Sequence, residues 1–174
     1  MPVWGYDSAM DTAPAFRIRP YRDDDRALVA ALINALQQAE RAMEPNRADW
    51  ADGGLAYADW TLAEVAENQG AISLAETETG EAIGLVTCWR AEDATDITVV
   101  PEARVHLYVS DLIVVPEWRG RGVAGALLAE AEKRGRTLGL TQMTIGVLAA
   151  NHAARRAYEK SGFEEYEMLL RKRL

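Results

Sequence analysis

The chain has 174 residues, 49% hydrophobic and 26% charged, which predicts one soluble globular domain with a substantial core. Its 19 Lys and Arg residues against 27 Asp and Glu residues leave a net charge of −8, which disfavours nucleic acid or an anionic membrane surface as a general partner. No window approaches 18 apolar residues, Cys88 is the only cysteine and the two histidines are not clustered, so we expect no membrane span, disulfide or catalytic metal and a cytoplasmic location.

The first part of the chain predicts an arm, a strand and a helix. Residues 1–14 show no periodicity and are expected to form an N-terminal arm, followed by a single domain over residues 15–174. Phe16-Arg17-Ile18-Arg19 alternates apolar and basic side chains, as a strand does. After the acids Asp23-Asp24-Asp25, apolar residues recur at helical spacing: Leu28, Leu32, Ile33 and Leu36.

Residues 43–57 predict a surface loop, because prolines, glycines and an asparagine interrupt the helical pattern. Thr61-Leu62-Ala63-Glu64 resembles a capping box and is expected to begin a second helix. Trp50, Tyr57 and Trp60 lie among acids in this region. They form either an aromatic and carboxylate wall for an amine or part of the core, and the sequence leaves both interpretations open.

The second half predicts a hairpin followed by alternating strands and helices. The expected strands are 71–76, 83–89, 105–115, 141–148 and 166–170, and the expected helices begin at Val123 and after Asn151. The resulting order is β-α-α-β-β-β-α-β-α-β.

The loop between Pro116 and Val123 carries the strongest functional signal. Gly120 and Gly122 remove side chains that would keep a ligand from the backbone, and the next helix directs its unpaired N–H groups at the same space. Such a loop is typical of phosphate binding. Gly120, Gly122 and Gly125 also satisfy the G-x-G-x-x-G pattern of dinucleotide-binding domains.

Three observations count against a dinucleotide site. Residues 116–119 separate the glycines from the strand, no acid lies near Ile145 and Val147 where a ribose ligand is expected, and too little chain follows to complete a doubly wound sheet.

Arg119-Gly120-Arg121-Gly122-Val123-Ala124 matches Arg/Gln-x-x-Gly-x-Gly/Ala, and a second motif follows in Asn151, Ala154, Tyr158, Gly162 and Phe163. Together they resemble the two signatures of the GNAT superfamily of N-acetyltransferases. The resemblance implies an α/β fold, α+β in some schemes, with a mixed and mostly antiparallel sheet of six to seven strands, about four flanking helices and a splay between strands four and five. Because dimers are common in the family, it also admits a homodimer.

The resemblance further implies acetyl-coenzyme A as co-substrate and a small-molecule amine as acceptor. Backbone N–H groups of the loop would hold the pyrophosphate, and the backbone of Leu112, Ile113 and Val114 would pair with the pantetheine arm. The residues implied in cofactor binding are Leu112, Ile113, Val114, Arg119, Gly120, Arg121, Gly122, Val123, Ala124, Gly125, Asn151, Ala154 and Tyr158.

The resemblance implies two roles in the second motif. Asn151 and Tyr158 are seven residues apart, two helical turns, and so face the same side. Asn151 would donate to the pantetheine amide, and Tyr158 would protonate the leaving thiolate as general acid. Each residue also has a structural interpretation, Asn151 as a helix cap and Tyr158 as a packed residue.

The general base is left open by the sequence. Several relatives place a glutamate immediately before the aspartate at Asp111, but Ser110 occupies that position here. The candidates are His106, Tyr108, Asp111, Glu40 and Glu44. We expect an acetyl-coenzyme A dependent N-acetyltransferase that acts by direct transfer onto a small, cationic amine; a non-catalytic acyl-coenzyme A sensor is the alternative.

Overall fold

Five strands form one sheet in the order β1-β2-β3-β4-β5, and four α-helices flank it in the part of the chain that the structure describes. The structure is a computed structural model that describes residues 15–49, 55–95 and 97–172. The elements are β1 Phe16–Pro20, α1 Arg26–Met43, α2 Leu55–Glu67, β2 Ala71–Thr77, β3 Ala82–Glu92, β4 Val105–Val114, α3 Val123–Thr137, β5 Met143–Ile145 and α4 His152–Lys160.

The sheet is mixed. Strands β1 to β4 pair antiparallel in succession, whereas β4 and β5 pair parallel. Antiparallel neighbours need only short connections, such as the β2–β3 turn, in which Gly80 adopts a left-handed φ of 86°. The parallel pair requires a crossover, and α3 supplies it.

Each face of the sheet has its own core. On one face, α1 contributes Val29, Leu32 and Ile33, which are buried because spacings of three and four residues put them on one side of the helix. On the other face, α3 packs on the sheet through a second set of buried residues, which includes Val123, Leu127 and Ala131. Because helices cover both faces of the sheet, a ligand has access at the strand ends and at the edges.

The second helix begins earlier than the capping-box pattern predicts. α2 already includes Leu55, so Thr61 lies inside the helix instead of at its start. Ala58 and Thr61 are both buried, three residues apart on the side that faces the sheet. Packing of that side therefore overrides the local Thr-x-x-Glu signal, and the predicted cap at Thr61 is wrong.

The C-terminal segment differs from the prediction as well. Residues 166–170 form no strand, and Tyr166, Met168, Leu169 and Leu170 are all highly exposed. The segment is held instead by ion pairs, Arg155 with Glu165 and Arg171 with Glu44. The predicted strand 141–148 is also shorter, Met143–Ile145. A strand in a sheet needs a hydrogen-bonding neighbour, which residues 166–170 lack, so the sheet formed by the described residues has five strands and not six or seven.

The predicted arm at residues 1–14 and the aromatic residue Trp50 lie outside the described residues. Within the ranges that the structure covers, no helix is both long and apolar enough to cross a bilayer.

Candidate active site

Strand β4 contains a bulge at Ser110. Thr87 of β3 lies opposite Asp111, and the next residue, Cys88, lies opposite Val109, so Ser110 is an extra residue without a partner on β3. Thr87 Oγ1 donates to Asp111 Oδ2 at 2.7 Å and accepts a hydrogen bond from Asp111 N at 3.1 Å. These two bonds fix the strand at the bulge.

Strands β4 and β5 separate at this bulge. They pair only between Leu107–Val109 and Met143–Ile145, while β4 continues to Val114. The five residues from Ser110 to Val114 span roughly 17 Å and have no strand on the β5 side among the described residues. The predicted splay at strands four and five is therefore present, and it leaves a free strand edge inside the molecule.

The glycine loop stands at the end of that free edge. Gly120 and Gly122 adopt φ values of 75° and 84°, in the left-handed region, and Gly122 is the N-cap of α3. The first intrahelical bond runs from Ala126 N to Gly122 O, and no side chain caps the helix. The amides of Val123, Ala124 and Gly125 therefore have no partner within the helix and are available to an anion.

Two arginines give the loop its positive charge. Arg119 Nε donates to the carbonyl of Val114 at 3.0 Å, so this side chain folds back on the last residue of β4. The Arg121 guanidinium lies 5.0 Å from the ring centre of Trp118, and that ring packs edge-on against Phe16. Trp118 was not among the predicted site residues, although an aromatic residue directly before Arg-Gly-Arg-Gly is a signal for a contact between its ring and an arginine.

The helix α4 carries the second motif. Asn151 is the N-cap, and its Oδ1 accepts from Ala154 N at 3.1 Å, which confirms the predicted cap. Its Nδ2 is not used in that bond. Tyr158 is half-buried two turns later, with its ring 5.8 Å from Phe163. Burial, aided by the negative charge of Glu40, raises the pKa of Tyr158 to about 12, so the hydroxyl keeps its proton at neutral pH.

A hydrogen-bond network joins α2 to the bulge. Tyr57 OH lies 3.1 Å from Ser110 Oγ and donates to Asp111 Oδ1 at 3.0 Å. Asp111 is almost fully buried, and burial raises its pKa, while the neighbouring hydroxyl groups of Thr87, Ser110 and Tyr57 act in the opposite direction. The sequence predicts Tyr57 as part of an aromatic wall or of the core but not this network, because a contact over 53 positions has no local signal.

An aromatic row continues from this network. Ring centres lie 5.5 Å apart for Tyr57 and Trp60, 5.6 Å for Trp60 and Trp89, and 5.3 Å for Trp89 and Tyr108. Trp60 is 45% exposed, so one member of the row has a face for a ligand. The row thus joins the buried Trp89 to the exposed Trp60, and a wall for an amine stays a prediction.

The candidate bases occupy different places. Glu40 forms an ion pair with Arg47 at 3.2 Å, and burial and the charge of Asp111 raise the Glu40 pKa while Arg47 lowers it. Glu44 pairs with Arg171 at 2.6 Å. His106 Nδ1 lies 3.8 Å from Asp93 Oδ2. On β4, His106 comes five positions before Asp111, which places the two residues roughly 17 Å apart along the strand. The structure thus groups Glu40, Tyr108 and Asp111 electrostatically, whereas His106 is at the other end of the strand.

Comparison with known proteins agrees with this geometry. The family model described as the acetyltransferase (GNAT) family matches residues 27–163. The uncharacterized N-acetyltransferase YycN of Bacillus subtilis (strain 168) is 33% identical over 54 residues, which are 31% of this chain and 35% of YycN. The match therefore spans about a third of that relative.

Solved structures share the fold across most of the chain. AAC(6')-Iy, solved with the bisubstrate analogue CoA-S-monomethyl-acetylneamine, has a TM-score of 0.66 at 23% identity, with 91% of this chain and 97% of the other covered. A tetramutant of the BH1408 protein from Bacillus halodurans has a TM-score of 0.77 at 19% identity, with 91% and 99% covered.

Proposed function

Because the chain belongs to the acetyltransferase (GNAT) family, we propose that it transfers an acetyl group from acetyl-coenzyme A directly to a primary amine of a small, cationic acceptor. The observation that carries the proposal is the free edge of β4 from Ser110 to Val114, which runs from the bulge to the uncapped start of α3. An extended chain ending in a phosphate matches both parts of this cleft.

The loop suits the pyrophosphate of coenzyme A. Its amides are free of intrahelical bonds, and a Cβ on Gly120, Gly122 or Gly125 would meet no atom within 4 Å, so the space above the backbone is open. The amides from Arg121 to Gly125 would hold the phosphates, and Leu112, Ile113 and Val114 would pair with the pantetheine arm as an added strand. The structure of AAC(6')-Iy with a coenzyme A analogue supports this assignment by fold.

When bound, acetyl-coenzyme A supplies a thioester carbonyl as the electrophile. The backbone N–H of Leu112, next to Ile113, would donate to the negative charge that develops on the acetyl oxygen, because the N–H groups of Asp111 and Val115 point to β3 and alternate residues point to the free edge. Tyr158 would give its proton to the sulfur as the thiolate leaves. The half-buried Tyr158 suits this role because it is protonated at rest and would transfer its proton only inside a dry, aligned site. Asn151 Nδ2 would donate to a pantetheine amide.

The acceptor side suits a cation. The carboxylate of Glu40 provides negative charge, and Trp60 offers a partly exposed ring to an ammonium group. AAC(6')-Iy is an aminoglycoside N-acetyltransferase, which supports a small polyamine-like acceptor for this chain too. Aminoglycosides, polyamines, amino acids and peptide N-termini all meet the chemical requirement.

Thiol release from acetyl-coenzyme A tests the proposal. Kanamycin, spermidine, lysine amide and a glycyl peptide are offered as acceptors, and glucose serves as an acceptor without an amine. We expect amine-dependent thiol release and an N-acetylated product by mass spectrometry. Calorimetry with coenzyme A and with NAD in parallel should show binding of the first alone. Coenzyme A binding without turnover of any amine would favour the sensor and overturn the proposed enzyme.

A further inference from the structure

The reaction proposed above requires a proton acceptor for the amine, and the inference below rests on that proposed function. An alkyl ammonium with a pKa near 10.4 is neutral in only about one molecule in 2,500 at pH 7. The protein therefore has to remove the proton, and the residue immediately before Asp111 is a serine with no basic group.

The hydrogen bonds around Tyr57 have a defined direction. An ionised carboxylate only accepts, so the single hydroxyl proton of Tyr57 is committed to Asp111 Oδ1. The bond of 3.1 Å between Tyr57 OH and Ser110 Oγ must then use the proton of Ser110. Ser110 Oγ is left with an unshared lone pair, ready to accept a proton from a third group.

Solvent exposure falls from Ser110 to Asp111, in the order of these hydrogen bonds. Asp111 is 1% exposed, so an acceptor in the cleft has almost no access to its carboxylate. Ser110 is half-buried at the point where β4 leaves β5, beside the free edge that the proposed thioester would occupy. Ser110, at the accessible end of this hydrogen-bonded series, is a poor base, whereas Asp111, at its buried end, is a carboxylate.

We propose that Ser110, Tyr57 and Asp111 form a proton relay, in which Asp111 is the base that receives the proton of the acceptor ammonium. Ser110 Oγ touches the amine, and Tyr57 and Asp111 act through it as positioning residues. A buried carboxylate is a stronger base than an exposed one, so Asp111 suits the role of final proton acceptor in the relay.

The transfer balances in three concerted moves. The ammonium gives a proton to Ser110 Oγ, Ser110 gives its own proton to Tyr57 OH, and Tyr57 gives its proton to Asp111 Oδ1. The products are a neutral amine and a protonated Asp111, with both hydroxyls restored. The amine lone pair then forms the C–N bond as the C–S bond breaks. After the attack, the nitrogen loses a second proton, which restores the hydroxyl of Tyr158 once Tyr158 has protonated the sulfur. Asp111 later returns its proton to solvent.

Other charged groups face the same region and define the competing explanations. They are Glu40 from α1 and Arg47 after it, while Thr87 from β3 and Tyr108 from β4 complete the polar surroundings of Asp111. Of these, Glu40 is the alternative base. Its carboxylate is paired with Arg47, whereas Asp111 has no ion pair among the described residues, only hydroxyl donors.

The test measures kcat/KM from pH 6 to pH 10 for Tyr57→Phe, Ser110→Ala, Asp111→Asn and Glu40→Gln. The acceptor is whichever of kanamycin, spermidine, lysine amide or glycyl peptide turns over fastest. We expect Tyr57→Phe and Ser110→Ala each to lower kcat/KM about 10- to 100-fold at pH 7, with the KM for acetyl-coenzyme A unchanged. The loss should shrink as the pH approaches the amine pKa, because solution deprotonation then replaces the relay.

Tyr21→Phe is the matched control, since it removes a tyrosine hydroxyl outside the cleft and should keep the pH profile of the unaltered protein. Equal losses at every pH, or no loss, would overturn the relay and leave the network a structural tie. If only Glu40→Gln lost kcat/KM in a manner that depends on pH, the relay would be overturned and Glu40 would be the base. Should Asp111→Asn fail to fold, the other two variants decide. Absence of turnover in the unaltered protein would instead overturn the proposed function.

Discussion

Thr87 on β3 and Asp111 on β4 are joined by two reciprocal hydrogen bonds, one of 2.7 Å to the carboxylate and one of 3.1 Å from the backbone N–H. The pair is fully buried and lies next to the extra residue Ser110. It therefore couples the stability of the sheet to the geometry of the cleft, because the same residues hold the bulge and form the network with Tyr57.

Replacing Thr87 by valine tests this coupling. The side chain keeps its shape, but the carboxylate and the N–H of Asp111 each lose a partner in a buried environment. We expect the free energy of unfolding in urea to fall by about 1–3 kcal/mol. Turnover should fall too, since the bulge loses its tie. Thr141→Val, at an exposed position, is the control and should leave both quantities unchanged.

Gly122→Ala tests the phosphate loop. Alanine in the left-handed conformation costs about 1–2 kcal/mol, and a methyl group there faces the space above the free amides. Gly139→Ala is a matched control, because Gly139 has a φ of 72° and open surroundings at the other end of α3. Both variants should lose similar stability, but only Gly122→Ala should weaken coenzyme A binding by calorimetry. Equal binding by the two would contradict the loop assignment.

Tyr158→Phe tests the general acid. The ring and its packing on Phe163 remain, and the proton donor is lost. We expect kcat to fall by about 100-fold while the KM for acetyl-coenzyme A changes little, as measured by steady-state thiol release. Tyr166→Phe, on an exposed tyrosine, controls for loss of a hydroxyl. Unchanged turnover in Tyr158→Phe would show that the thiolate leaves without this acid.

Arg19 controls the acid stability of the fold. Its guanidinium donates to Asp25 at 2.6 and 2.8 Å and to Glu76 at 2.5 Å, in a largely buried cluster. These bonds hold the pKa of both carboxyls below their ordinary values. Because a lowered carboxyl pKa stabilises the fold above the unfolded pKa of about 4, that stability is lost as the pH falls through the lower folded values.

The corresponding variant is Arg19→Met, which leaves the buried Asp25 without its ion pair and leaves Glu76 paired with Arg17 alone. We expect the free energy of unfolding at pH 7 to fall by about 3–5 kcal/mol, and the loss of stability on acidification to become shallower. Arg26→Met removes an exposed partner of Asp59 and should cost at most about 1 kcal/mol. Urea unfolding at pH 3, 5 and 7 measures both variants. Equal costs would show that burial adds nothing to the Arg19 cluster.

Local sequence patterns were enough to predict most of the helices and strands and the coenzyme A side of the site. The spacing of Val29, Leu32 and Ile33 predicts α1, and the glycines and arginines at 119–122 predict the loop at the start of α3, because each signal depends on neighbours within a few positions. Asn151 as a helix cap follows in the same way. These features are determined by the sequence alone.

Only the tertiary structure decided the rest. Thr61 matches a cap motif but is buried inside α2, and residues 166–170, predicted to close the sheet, pair with no other strand among the described residues. The bulge at Ser110 and the contact from Tyr57 to Asp111 join residues more than 20 positions apart on different elements. Such contacts depend on how whole elements pack, so the phosphate loop was predictable from local sequence, whereas the acceptor side, including the relay proposed here, depends on the assembled sheet and helices.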